Sequence, residues 1–216
     1  MVRHGQSVAN AQSKFAGHSD FDITELGREQ AKLAAKYLVE RERVDVIYSS
    51  DLLRAHNTAV PFAELYGLPI NDTTELRELF AGLWEGQKVC DLFEIYTEDM
   101  ERWRDDFSNA RCTGGESVAE LYDRITRSVC KIAKENVGKT VLMATHATPV
   151  RAIDCYSRGW GAERMADVTF VRNSSISIFE YDETDDSIKP IQVDIVEHLN
   201  DSLVTTVPTD LSTRAV

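Results

Sequence analysis

The chain has 216 residues, of which 43% are hydrophobic and 28% are charged, a composition that suits one globular domain with a sizeable core. A formal net charge of -12 argues against nucleic acid and anionic membranes as partners, because the overall field repels both, and a small anionic substrate would need a local basic pocket. The four cysteines lack metal-ligand spacing and the sequence shows neither a signal-peptide pattern nor an apolar run of about 18 residues, so we expect a cytoplasmic protein.

Apolar runs typical of buried strands alternate with helical patterns, which predicts an α/β fold. Thr24 is a suitable N-cap for the first long helix, which is predicted to run to about Arg43. The other elements are predicted, in chain order, as a strand at 44–48, a helix capped by 49–51 and ended by Gly67, a strand at 68–71, a helix at 116–136, a strand at 140–145, a helix with Thr148 as N-cap and Pro149 as first residue, and strands at 175–181 and 188–196.

Two segments stand outside this alternation. The segment at about 87–112 is polar and aromatic with a helical period, which predicts a helical insertion or cap over one edge of the sheet. Residues from about 202 to 216 carry no pattern, so we interpret them as a mobile tail. Neither a repeat nor a linker is found, and residues 1–216 are therefore expected to form a single domain.

The tripeptide Arg3-His4-Gly5 is suited to phosphoryl chemistry. Arg3 can bind phosphate oxygens through two parallel hydrogen bonds, and His4 can attack phosphorus as a neutral nucleophile. Gly5 is expected to let the backbone approach a bound anion, because it has no side chain. By itself the tripeptide is also compatible with an ordinary turn.

Two further segments are predicted to bring cationic or imidazole side chains to the same edge of the sheet. In an open α/β sheet, ligands bind beyond the carboxyl ends of the strands, where helix N-termini offer free N–H groups to anions. Arg54 lies in the first turn after the strand that ends at Tyr48, and His146 ends the strand at 140–145. Each residue alone is more often structural. Together with His4 they predict an anion site.

Six short blocks rich in glycine and polar residues follow one another along nearly the whole chain. They are Arg3-His4-Gly5-Gln6-Ser7 with Asn10; Gly17 with Asp20 and Ile23-Thr24-Glu25-Leu26-Gly27; Ser49-Ser50-Asp51-Leu52 with Arg54; Leu76-Arg77-Glu78 with Trp84-Glu85-Gly86; Gly114-Gly115-Glu116-Ser117; and Thr145-His146 with Arg151. In this order the blocks resemble the motifs of the histidine phosphatase superfamily, which includes cofactor-dependent phosphoglycerate mutases and many small phosphatases. The resemblance implies a three-layer α/β/α sandwich whose mixed sheet is mostly parallel, with one antiparallel strand.

The resemblance also implies phosphoryl transfer in two steps through a phosphohistidine, with no metal ion and no cofactor. His4 would attack phosphorus, while Arg3, Arg54 and His146 hold the equatorial oxygens, whose charge must be stabilised in the transition state. Glu78 would protonate the leaving alkoxide and later take a proton from the attacking water.

Three further positions are expected to bind substrate. By the same resemblance, Asn10 would orient a transferring oxygen, and the backbone N–H groups of Gly17 and Ala147 would serve as additional donors. Glu75 and Glu85 are the nearby alternatives to Glu78 as the acid. The place of Glu78 in the Leu-Arg-Glu block favours it, and Glu85 is interpreted as structural.

Three activities are compatible with these blocks. The segment at 80–86 is similar to the phosphatase branch of the family, which favours hydrolysis of small phosphorylated metabolites. A cofactor-dependent phosphoglycerate mutase is the main alternative, and a non-catalytic phospho-ligand binder is a weaker one. The natural substrate is left open, as is the oligomeric state, for which a homodimer is one expectation.

The predicted first strand is unusually short. Only Met1 and Val2 precede Arg3, whereas the family places a strand of about five apolar residues there. Three explanations stay open: the numbered chain begins late, its start lies downstream of the true one, or the sheet tolerates a truncated strand.

Overall fold

A six-stranded sheet forms the centre of the molecule in a computed structural model that describes residues 1–205. The strands are β1 (Val2–Arg3), β2 (Val46–Ser50), β3 (Ile70–Thr73), β4 (Val141–Thr145), β5 (Ile176–Asp182) and β6 (Ser187–Ile195). Their order across the sheet is β3-β2-β4-β1-β5-β6. Pairings β3-β2, β2-β4 and β4-β1 are parallel, and β5 is antiparallel to both of its neighbours. The mixed, mostly parallel sheet with one reversed strand is confirmed.

Seven α-helices lie within the described residues. They are α1 (Val8–Ala11), α2 (Glu25–Val39), α3 (Leu53–Tyr66), α4 (Val89–Ile95), α5 (Thr97–Asp105), α6 (Val118–Glu135) and α7 (Ala147–Ser157). None of the described helices is long and apolar enough to cross a lipid bilayer.

Alternating strand residues pack against two helix layers. Leu142 and Ala144 of β4 belong to a core cluster with α2 and α3, whereas Met143 belongs to a second cluster with α6 and α7. This alternation follows from the period of two along a strand, and it gives the predicted three-layer α/β/α sandwich.

Several element ends agree with the sequence analysis. The Thr24 hydroxyl caps α2 by accepting the Gly27 amide, and Gly67 ends α3 in the left-handed region, with φ of 66°. Helix α6 begins at a capping box formed by Ser117 and Glu120.

Two predicted helix starts are wrong. Ser49 and Ser50 belong to β2, and the N-cap position of α3 is Leu52, whose side chain makes no capping hydrogen bond. Helix α7 begins at Ala147 rather than Pro149, with His146 in the N-cap position. Pro149 is tolerated in the first turn, because the N–H groups there have no intrahelical acceptor.

The structure describes all of the predicted insertion at 87–112 and only the first part of the predicted tail at 202–216. Helices α4 and α5 fall within 87–112, and Met100 and Trp103 of α5 are buried in the larger core cluster. Of the tail predicted at 202–216, Leu203 and Thr205 accept hydrogen bonds from Gln30 Nε2. The remainder, 206–216, lies outside the described residues.

Strand β1 is short. It pairs with β4 at Val2 and Arg3 and with β5 at Val2. Residues of β4 and β5, together with Met1 and Val2, line a cavity of about 660 Å³.

Candidate active site

The predicted site residues converge at the carboxyl ends of the parallel strands. His4 follows β1 and its amide donates to the Thr145 carbonyl at 2.9 Å, which places it beside His146 at the end of β4. The two imidazole rings meet edge to face, with centroids 5.2 Å apart. Arg54, in the first turn of α3 after β2, contacts the second ring. The sheet order therefore brings together side chains that are far apart in sequence.

His4 is held as a neutral ring with one defined free nitrogen. Its Nδ1 lies 2.7 Å from the Gly5 carbonyl oxygen, which can only accept, so Nδ1 carries the proton and Nε2 keeps its lone pair. Burial is the main cause that lowers the pKa of His4 well below 6.5, and the charges of Arg54 and Arg3 lower it further. A neutral imidazole with a free Nε2 is the form that acts as a nucleophile.

Two arginines supply buried positive charge with donors to spare. Arg3 donates from NH1 to the Val171 carbonyl at 2.5 Å, and its buried Nε has no partner among the described residues. Arg54 donates to the carbonyls of Gly17 (2.6 Å) and Ser19 (2.9 Å) as well as to a histidine, which uses three of its five N–H groups. Burial lowers the pKa of each guanidinium to about 10, so both remain charged at neutral pH.

His146 is also a neutral ring, fixed through both nitrogens. Nδ1 accepts from Arg54 Nε at 3.2 Å, so the proton is on Nε2, which donates to Ser50 Oγ at 2.9 Å. Burial lowers the pKa of His146 well below 6.5, and Arg54 and His4 add to the effect.

Glu78 is the carboxylate that lies against the site. One carboxylate oxygen accepts the Leu79 amide at 2.8 Å, and the other accepts the Thr148 amide at 3.3 Å, in the first turn of α7. Its charge opposes part of the effect by which burial lowers the pKa of both Arg3 and Arg54, which places the carboxylate within electrostatic reach of these two side chains.

The two alternative carboxylates are engaged elsewhere. Glu75 accepts a hydrogen bond from Ser128 of α6 at 3.0 Å. Glu85 accepts from the amides of His18 (2.8 Å) and Ala81 (3.2 Å), so it links the loop after Gly17 to the segment that follows Glu78. These contacts support a structural part for Glu85.

The three predicted substrate-binding positions surround the same region. Asn10 Oδ1 accepts from the Ser7 amide and from Asn173 Nδ2, which leaves Nδ2 of Asn10 to donate. Gly17 has φ of 51°, and a Cβ there would lie 2.6 Å from that of Ala81, so only glycine is accommodated. Ala147 is the first residue of α7, and its amide therefore has no intrahelical acceptor.

Gly5 is required for a different reason from the one expected. A Cβ at this position would lie 2.4 Å from the carbonyl oxygen of Gly27, so its bare backbone packs against α2 instead of making room for an anion. The Gly5 amide donates to Thr58 Oγ1 at 3.0 Å. Both contacts fix the carbonyl that orients the His4 ring.

Other contributors were missed by the sequence analysis. Ser50, which holds His146, was interpreted as a helix cap, although its place at the end of β2 was a usable signal. Asn173 donates to the His4 carbonyl (3.1 Å) and to Asn10 (3.2 Å) from a loop with no sequence pattern to mark it.

Comparisons with known proteins point to one family. A model of the histidine phosphatase superfamily (branch 1) matches residues 1–193. Phosphoserine phosphatase 1 of Hydrogenobacter thermophilus is 37% identical over 155 residues, which cover 72% of this chain and 73% of that protein. Phosphoglycerate mutase-like protein 4 of Arabidopsis thaliana is 31% identical over 181 residues, which cover 83% of this chain and 77% of that protein.

Solved structures agree in fold. The structure of a mycobacterial glucosyl-3-phosphoglycerate phosphatase with VO3 has a TM-score of 0.80 to this chain at 28% sequence identity. The match covers 89% of this chain and 95% of that chain.

The two neutral imidazoles predict how stability depends on pH. Below pH 6.5 the unfolded chain binds protons at these rings that the folded chain does not, because burial lowers the pKa of His4 and His146. The free energy of unfolding should therefore fall as pH drops below 6.5, by at most ~1.4 kcal/mol per pH unit for each ring. Urea unfolding between about pH 7 and about pH 5 measures the slope.

Matched variants assign that slope. His146→Gln should make it shallower, because glutamine takes up no proton in the unfolded chain, whereas Leu65→Gln, at a half-exposed position of α3, should leave it unchanged. The same slope in His146→Gln and the wild-type protein would contradict the burial of a neutral ring at this position.

Proposed function

Since the chain belongs to branch 1 of the histidine phosphatase superfamily and is a phosphoric monoester hydrolase, we propose that it hydrolyses small phosphomonoesters through a phosphohistidine on His4, without a metal ion. The observation that carries the proposal is the state of the His4 ring. Its proton is held on Nδ1 by the Gly5 carbonyl, and Nε2 makes no hydrogen bond within the described part of the chain, in the field of Arg3 and Arg54. Such a nitrogen can attack phosphorus without first losing a proton.

The first step forms a bond between His4 Nε2 and phosphorus and breaks the bond from phosphorus to the ester oxygen. Arg3 Nε and the two unused N–H groups of Arg54 would donate to the equatorial oxygens. His146 would join this set by turning its Nε2–H from Ser50 Oγ to a phosphoryl oxygen. Glu78 gives its proton to the leaving oxygen, so the alcohol departs neutral.

The second step reverses these roles with water as the nucleophile. Glu78 takes a proton from water, the oxygen attacks phosphorus, and the bond to His4 Nε2 breaks, releasing inorganic phosphate. Asn10 Nδ2 and the amides of Gly17 and Ala147 would hold the phosphoryl group through both steps.

Replacement of His4 tests the nucleophile. His4→Ala should reduce hydrolysis of p-nitrophenyl phosphate to background, because no other group then accepts the phosphoryl group. The wild-type protein, stopped in alkali during turnover, should carry one acid-labile phosphoryl group on the peptide that contains His4, as read by mass spectrometry. His56→Ala is the control and should keep both activity and label. Full hydrolysis by His4→Ala, or label on another residue, would contradict the mechanism.

A mutase is the second candidate, and the similarity to a phosphoglycerate mutase-like protein favours testing it. A mutase returns the phosphoryl group to a second hydroxyl, whereas a phosphatase gives it to water. Incubation with 3-phosphoglycerate and a bisphosphoglycerate primer should yield free phosphate rather than 2-phosphoglycerate. Absence of turnover with this mixture and with p-nitrophenyl phosphate would instead indicate a non-catalytic binder.

The names of the relatives indicate the class of substrate. The relatives are named for phosphoserine and glucosyl-3-phosphoglycerate, which are small phosphorylated metabolites. A screen of such metabolites for released phosphate, ranked by kcat/KM, identifies the preferred ester.

A further inference from the structure

Arg124, on α6, binds the backbone of the segment that carries Glu78. Its NH1 donates to the carbonyl oxygens of Glu75 (3.0 Å) and Arg77 (3.1 Å), and its NH2 donates to that of Glu78 (3.2 Å). The guanidinium therefore bridges three carbonyls of one irregular segment, which has few backbone partners of its own beyond the single turn at Thr74–Leu76.

Glu116 holds the other side of the same guanidinium. Arg124 Nε donates to Oε1 at 3.0 Å and NH2 donates to Oε2 at 2.9 Å. The side chains are 19% and 14% exposed, so the pair is mostly removed from solvent. The five contacts match the five N–H donors of an arginine, and a fully satisfied guanidinium has a single orientation.

Glu116 is itself anchored to the residues that follow the acid. Its amide donates to the Phe80 carbonyl at 2.8 Å, and its Oε2 accepts the Phe80 amide at 3.2 Å. This approach requires Gly115, because a Cβ there would lie 2.3 Å from the Phe80 carbonyl oxygen. The segment is thus fixed on both sides of Glu78, by Arg124 before it and by Glu116 after it.

We propose that Arg124 and Glu116 are positioning residues for the acid Glu78. Their contacts are to backbone atoms and to each other, so they act on the reaction through the placement of the Glu78 carboxyl at the start of α7. The proposal rests on the proposed function, in which that carboxyl protonates the leaving oxygen. A misplacement of about 1 Å in such a group costs roughly 100-fold in rate.

The loss of activity in an Arg124 variant should depend on the leaving group of the substrate. p-Nitrophenolate departs without a proton, whereas the alkoxide of an alkyl phosphate needs one. In Arg124→Met, kcat/KM, which reports the steps up to formation of the phosphohistidine and release of the alcohol, should fall about 100-fold with glycerol phosphate and less than about threefold with p-nitrophenyl phosphate. Arg124→Lys keeps the charge but not the planar fork, and it should show an intermediate loss of the same kind.

Arg158→Met is the matched control. Arg158 also binds a carboxylate through two hydrogen bonds, to Asp154 at 2.8 and 3.2 Å, and among the described residues it contacts none in the segment at 75–80. Its kcat/KM should equal that of the wild-type protein with both substrates. If Arg124→Met fails to fold, as judged by circular dichroism, Arg124→Lys and Glu116→Gln provide the test. In each of these variants kcat/KM should fall more with glycerol phosphate than with p-nitrophenyl phosphate.

Two outcomes overturn the proposal, and they are distinguishable. If kcat/KM fell equally with both substrates in Arg124→Met, while Glu78→Gln lost activity only with the alkyl ester, Arg124 would have a purely structural role. If kcat/KM fell equally with both substrates in Glu78→Gln, neither the role of Glu78 as the acid nor the positioning role of Arg124 and Glu116 would stand. The double variant Arg124→Met with Glu78→Gln should discriminate between substrates no more than Glu78→Gln alone, because both changes act through one carboxyl.

Discussion

The proposed mechanism depends on one hydrogen bond, from His4 Nδ1–H to the Gly5 carbonyl, and the His4 side chain that makes it is buried. Burial beside Arg3 and Arg54 keeps the ring neutral, and the carbonyl decides which nitrogen is free. That carbonyl is fixed in turn by the close backbone packing of Gly5 against Gly27. Helix α2 therefore fixes the nitrogen that is reactive in the proposed mechanism, although it contributes no side chain to that mechanism.

Such a site is costly for the fold. Two guanidiniums are almost completely buried, and their pKa values fall to about 10 because burial penalises the charge. Backbone carbonyls, including those of Gly17 and Val171, and the nearby Glu78 carboxylate offset part of this cost. Arg3 Nε has no partner among residues 1–205, and a phosphoryl oxygen bound there would satisfy this buried donor. Activity and stability are therefore opposed at this edge of the sheet.

The sequence predicted the parts of the fold and site that are marked by local signals. Strand ends followed by Arg54 or His146 are visible as apolar runs with a polar stop. The resemblance to the histidine phosphatase superfamily implied one antiparallel strand, and the structure identifies it as β5. The start of α7 was misplaced because an N-cap preference for Thr148 is weak beside the packing that seats His146. Asn173 and Arg124 could not be predicted, since their contacts join segments more than about 40 residues apart and no local pattern records such packing.

NMR of the protein labelled with 15N at its histidines measures the protonation of the His4 ring directly. The shifts of the two His4 nitrogens distinguish a neutral ring protonated on Nδ1, a neutral ring protonated on Nε2 and a doubly protonated ring. The structure predicts the first of these at neutral pH, retained as the pH falls well below 6.5. A His4 ring that carries its proton on Nε2, or that takes up a second proton near pH 6.5, would contradict the account.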